Sequence, residues 1–103
     1  NSKVADIIKT LNEYGIKPIV VDPQADPTET KYEYGVNLVE LDTIRNADCL
    51  VFAVAHDEFE NMSWEKIDGL FGDFNNEEKV IVDVKSIFDK AELEKRGYSY
   101  WRL

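Results

Sequence analysis

Val4, Ile7, Ile8 and Leu11 recur at the spacing of one helix face, which predicts a helix over SKVADIIKTLNEYG. Ser2 is the expected N-cap, and Gly15 stands where a helix stops. Ile16, Ile19, Val20 and Val21 then form a short β-rich run closed by Asp22-Pro23. Residues 23–35 are polar and hold two prolines and a glycine, so they read as a loop with one helical turn at 27–33. VNLV at 36–39 reads as a brief strand and ELDTIRNA at 40–47 as a short helix. CLVFAVA at 49–55 is apolar throughout, the pattern of a strand covered on both faces. HDEFEN follows as a loop, and SWEKIDGLFG as a helix capped by Ser63. KVIVDV at 79–84 is a second continuous apolar strand, and FDKAELEKRG at 88–97 is a helix ending in Lys95, Arg96 and Gly97. YSYWRL at 98–103 closes as an edge strand.

Apolar strands alternating with helices predict an α/β domain with a mainly parallel sheet and helices on both faces. A length of 103 residues with 44% hydrophobic content suits one domain, 1–103, with one core. The net charge of -9 argues against nucleic acid as a partner, because most of the surface repels a polyanion. No apolar run reaches the roughly 20 residues of a membrane span, and no charged-then-apolar leader opens the chain, so neither a membrane anchor nor a signal peptide is expected. Cys49 is the single cysteine, which excludes an internal disulfide and suits a reducing cytoplasm.

In open parallel sheets ligands sit beyond the carboxyl ends of the strands. Asp22, His56 and the pair Asp83 and Lys85 end three of the expected strands and would lie on one rim. Lys85 there meets a phosphate as a point charge, or is a solvated loop lysine, with or without Asp83 or Asp89 as a partner, the commoner case. His56 donates to a ligand, or is a satisfied loop histidine. Asp22 holds a ribose hydroxyl, or makes a turn with Pro23. GxGxxG and GxxxxGK[ST] are both absent, and one histidine with one cysteine gives no zinc spacing. Cys49 reads as plain core. The residues alone therefore describe a small α/β domain with a candidate anion-binding rim and no self-sufficient catalytic set.

The order of the pieces is more specific than any one of them. NSKVADIIKTLNEYG, VVDPQAD, EYGVNL, NADCLVFAVAHDEF, VIVDVKSIFD and GYSYWRL, in this succession, resemble the C-terminal domain of nucleotide-sugar 6-dehydrogenases, the UDP-glucose and GDP-mannose dehydrogenase family. AVAHDEF and YWRL are most similar to the branch acting on UDP-N-acetylhexosamines, which feeds surface-polysaccharide synthesis. The resemblance implies a Rossmann-like three-layer fold that closes over the nucleotide of a UDP-sugar. It implies an oxidation of the sugar C6 alcohol to a carboxylate, with NAD bound by a separate N-terminal domain and a central helix forming a homodimer. The catalytic cysteine of such enzymes belongs to the N-terminal portion, so Cys49 is not its counterpart and this domain alone would be inactive. Lys85 matches a basic position after the corresponding strand and becomes an expected substrate contact. His56 matches a cleft-facing loop position, and Asp22-Pro23 matches a structural turn. Family members carry a further strand before the first helix, in mid-sheet between 16–22 and 49–54, which is missing from this sequence. The competing reading is a stand-alone, non-catalytic nucleotide-binding or regulatory module.

Overall fold

The computed structural model describes the backbone from Ser2 to Leu103 and the side chains from Lys3 onward; the expected Ser2 cap lies outside the described residues. The chain packs as two compact units, Asn1–Thr43 and Ile44–Leu103.

In the first unit, α1 (Ser2–Glu13) buries Ile8 and half-buries Val4, Ile7 and Leu11, the stripe predicted from spacing. Gly15, at φ 78, ends this region in the left-handed conformation that glycine adopts without cost. α2 (Pro27–Tyr34) starts where Asp26 accepts the Glu29 N–H at 3.0 Å, with Pro27 in the first turn, where its missing N–H is no loss. The run 16–21 was expected to be a strand, yet it contributes only an isolated parallel bridge, Val20 to Leu38, with the Val39 N–H donating to the Val20 carbonyl at 3.0 Å. Ile16 and Ile19 are 51% and 71% exposed. β-Branched residues favour an extended backbone, but a ladder also needs a neighbour along its length, and Leu38 is the one bridging residue of 36–39. The helix expected at 40–47 shrinks to a 3-10 turn, Leu41–Thr43, held by the Thr43 hydroxyl on the Glu40 carbonyl at 2.7 Å.

The second unit is a parallel three-stranded sheet in the order β1 (Cys49–Phe52), β2 (Val80–Asp83), β3 (Ser99–Arg102). Between β1 and β2 run a one-turn helix, α3 (Asp57–Glu60), and α4 (Trp64–Leu70); α5 (Lys90–Arg96) joins β2 to β3. Ser63 caps α4 by accepting the Lys66 N–H at 3.0 Å, as expected. Asp89 caps α5, and Gly97 at φ 85 ends it. Register aligns Leu50, Ile81 and Tyr100 in one row and Phe52, Asp83 and Arg102 in the next. Consecutive right-handed crossovers stepping the same way across a sheet lay their helices on one face. The packing agrees. Phe52 meets Phe59 of α3 edge-on at 6.1 Å and Phe88 at 4.8 Å, while Trp64 of α4 lies 5.9 Å from Phe88. Ile67, Ile81 and Leu93 are at most 1% exposed and form the centre of this core.

The helices of this unit leave its opposite sheet face uncovered, with Val51 at 42% and Trp101 at 61% exposure. The expectation that 49–55 is covered on both faces is therefore corrected. β1 is an edge strand, and the crossovers of its unit bury only the Leu50/Phe52 side. Cys49, expected in the core, is exposed for the same reason. No helix among the described residues is long and apolar enough to cross a membrane.

Candidate functional site

Because β1, β2 and β3 run parallel, their carboxyl ends share one edge of the second unit. Residues 53–56 leave β1 there, and residues 84–89 leave β2. This edge carries His56, Asp83 and Lys85, three of the four residues singled out from the sequence. Asp22 belongs to the other unit. Its Oδ1 accepts the Gln24 N–H at 3.0 Å and its carbonyl accepts the Ala25 N–H at 3.3 Å, which is turn chemistry of the Asp-Pro kind.

The loop after β2 is built around Asp83. That residue is fully buried, at 0% exposure. Oδ1 accepts the Ile87 N–H at 3.0 Å, and Oδ2 accepts the Phe88 N–H at 3.0 Å and the Tyr100 hydroxyl at 2.6 Å. A carboxyl group withdrawn from water is tolerable only when its oxygens are satisfied in this way. Asp83 is thus spent on the loop backbone and on β3, and Asp89 on the Ala91 N–H at the head of α5. Neither pairs with Lys85, which leaves it a solvated loop lysine without the pairing considered for it. Among the described residues the exposed Lys85 side chain makes no ion pair or hydrogen bond.

His56 is half-buried and occupies the N-cap position of α3, at φ -69 and ψ 141, without a side-chain capping bond. Its ring stacks on Phe59 at 5.6 Å with an interplanar angle of 28°. The helical turn at 57–60, read as loop from the sequence, forms because Phe59 is buried against Phe52.

Sequence reasoning missed Tyr100 and Arg102. Arg102 donates through Nε to the Tyr100 hydroxyl at 2.9 Å and through Nη2 to the Phe88 carbonyl at 2.7 Å. Alternation along YSYWRL was the available signal, since Tyr100 and Arg102 share the face of Ile81 and Asp83. Burial, and then the bond to Asp83, push the Tyr100 phenol above its ordinary range, so it stays a donor at neutral pH. Cys49 lies at the opposite, amino end of β1. Partial burial and the neighbouring Asp48 raise its thiol pKa, the reverse of what a nucleophile needs. Among the described residues no group of three or more His, Cys, Asp or Glu could hold a metal ion.

A family model described as the UDP-glucose/GDP-mannose dehydrogenase family, UDP binding domain, matches residues 1–90. The chain belongs to this family. Its relatives include a UDP-N-acetyl-D-glucosamine 6-dehydrogenase from Pseudomonas aeruginosa, 35% identical over 93% of this chain and 22% of the relative. The Protein CapL of Staphylococcus aureus is 32% identical over 100% of this chain and 23% of its own length. A UDP-N-acetyl-D-mannosamine dehydrogenase from Methanococcus vannielii is 33% identical over 89% of this chain and 20% of its own. The chain thus spans 20% to 23% of these relatives, across the UDP-binding domain of the dehydrogenase family. The α/β fold and the family resemblance read from the motifs both stand.

Proposed function

We propose that this UDP-binding domain forms the nucleotide side of the cleft of an NAD-dependent UDP-sugar 6-dehydrogenase, and that Lys85 gives the charge-assisted contact to the UDP-sugar. The observation that carries the assignment is Lys85 itself. In a chain of net charge -9 its ammonium has no carboxylate partner among the described residues, and it stands at the carboxyl end of the central strand. An ammonium kept unneutralised there is poised for a diphosphate. His56, on the neighbouring loop, is the second proposed contact, through a ring nitrogen. The names of the relatives support the UDP-N-acetylhexosamine class of substrate.

The parent reaction converts a C6 alcohol to a carboxylate in two hydride transfers. Two NAD⁺ accept the hydrides, and one water supplies the second carboxylate oxygen. NAD is proposed to bind a separate N-terminal domain, so this domain contributes binding and orientation and is inactive alone. A cytoplasmic homodimer is the proposed setting; the cytoplasm suits a chain whose single thiol forms no disulfide.

Calorimetric titration of the 103-residue chain with UDP tests the assignment. Lys85→Ala is expected to weaken binding by about 10-fold or more, the equivalent of a charged contact worth about 1.5–3 kcal/mol. The binding should also weaken with added salt. An unchanged Kd for Lys85→Ala removes this residue from the site. Reduction of NAD⁺ by the chain with a UDP-sugar overturns its proposed inactivity.

A further inference from the structure

We infer that Asp83, Tyr100 and Arg102 form a clamp that positions Lys85 for the ligand, an inference that rests on the assignment of Lys85 above. Lys85 lies between two pinned points. At one end is Asp83, the last residue of β2, followed by the Val84 N–H on the Phe52 carbonyl at 3.0 Å. At the other end are the Ile87 N–H, the Phe88 N–H and the Phe88 carbonyl, gripped by Asp83 Oδ1, Asp83 Oδ2 and Arg102 Nη2. Only Lys85 and Ser86 arch freely between them. Ser86, at φ 55, is the one non-glycine with positive φ among the described residues. A side chain in that region costs on the order of 1–2 kcal/mol, and such strain persists only where surrounding bonds over-determine the backbone.

The clamp is a relay between strands. The Tyr100 hydroxyl donates to Asp83 and accepts from Arg102, and the Arg102 guanidinium lies 5.7 Å from the Tyr100 ring. Loop geometry is thereby tied to β3, whose register with β2 places Arg102 beside Asp83. Lys85 and Ser86 are both exposed. A fixed loop lowers the ordering cost that Lys85 would otherwise meet on binding an anion. The three clamp residues are positioning residues: Asp83 and Arg102 hold the loop backbone, and Tyr100 ties the two together.

Tyr100→Phe tests the clamp with little change of shape, because it deletes one hydroxyl and leaves the ring. It also keeps the test available if Asp83→Asn, which sets a second donor against the loop amides, fails to fold. Amide hydrogen exchange on the 103-residue chain should show the Ile87 and Phe88 amides opening at least 10-fold faster in Tyr100→Phe, with the β1 and α4 amides unchanged. Uniform acceleration of all amides, or none at 87–88, overturns the clamp. Titration with UDP supplies the second arm, as a double-mutant cycle. Tyr100→Phe is expected to weaken UDP about 3- to 10-fold when Lys85 is present and less than about 2-fold in the Lys85→Ala background, a coupling in the usual range for residues acting as one unit. Equal losses in both backgrounds overturn the positioning role while leaving the Lys85 contact intact. A faster 87–88 exchange together with a silent Lys85→Ala leaves a loop clamp and removes Lys85 from the site, so the two failures are distinguishable.

Discussion

The Lys79 ammonium lies 2.8 Å from Asp68 Oδ1 and 3.1 Å from Asn76 Oδ1, with Lys79 only 6% exposed. Asp68 Oδ1 also accepts the Tyr98 hydroxyl at 2.8 Å. One carboxylate oxygen therefore ties α4 to the residues just before β2 and β3. Breaking a buried pair leaves a charge without its partner, whereas replacing that charge by an apolar chain does not. Asp68 is itself 46% exposed, so water tempers the loss. Asp68→Ala is expected to cost about 2 kcal/mol in urea unfolding, and Lys79→Met clearly less. Equal costs for the two would show that the buried ammonium is not what the pairing protects.

The same network sets a pH dependence with two limbs. The Lys79 and then the Tyr98 hydrogen bonds hold the Asp68 carboxyl below its usual range. A lowered folded pKa contributes stability that is present above the unfolded value, near 4, and is lost as pH falls through the folded value. Burial, then the bond to Asp68, push the Tyr98 phenol up, and burial, then Asp83, do the same for Tyr100. Their stabilisation is complete below the ordinary phenol pKa near 10 and declines as pH rises beyond it. Denaturant titrations across pH should flatten on the acid side in Asp68→Asn and on the alkaline side in Tyr98→Phe. An unaltered alkaline limb in Tyr98→Phe would count against the assignment.

Two faces of one sheet predict opposite sensitivities. Leu93 is fully buried beneath the covered face, and Trp101 is 61% exposed on the other. Leu93→Ala is expected to cost about 3 kcal/mol through lost contacts and the cavity left behind. Trp101→Ala should cost under about 1 kcal/mol despite removing the larger side chain. Thermal or urea unfolding decides this, and a Trp101 cost matching that of Leu93 would mean the open face is covered in solution.

Two glycines of this unit should respond to alanine with opposite signs. Gly97 has φ 85, and a Cβ there meets nothing nearer than the Asn76 Cβ at 3.8 Å, so its cost is conformational, about 1 kcal/mol. Gly69 is an exposed position inside α4 where a Cβ meets nothing within 4 Å. Gly69→Ala is expected to stabilise by about 0.5–1 kcal/mol. Melting both variants against the parent chain checks the pair.

Much of the candidate site was readable along the chain. Lys85 and His56 stand out because they follow apolar strands directly, and parallel pairing brings those strand ends to one edge. Less readable was the use of Asp83. From spacing it looks like a partner for Lys85, yet its oxygens face Tyr100, a residue 17 positions away, and the loop amides. The run 16–21 shows the limit from the other side. Its β-branched residues suit an extended chain, but with a single bridge to Leu38 it does not become a strand.

Local features follow from the order of residues alone: the amphipathic stripe of α1, the Ser63 cap, the stop at Gly97, and the apolar runs of β1 and β2. Each depends on residues within a turn or two, where spacing, hydrogen-bond reach and φ preference act directly. Long-range packing is what turns Cys49 and Val51 outward, coils 57–60 under Phe59, and sets Tyr100 and Arg102 against the loop of Lys85. Those outcomes depend on which strand lies beside which and in what register, and distant segments settle that by burying area together.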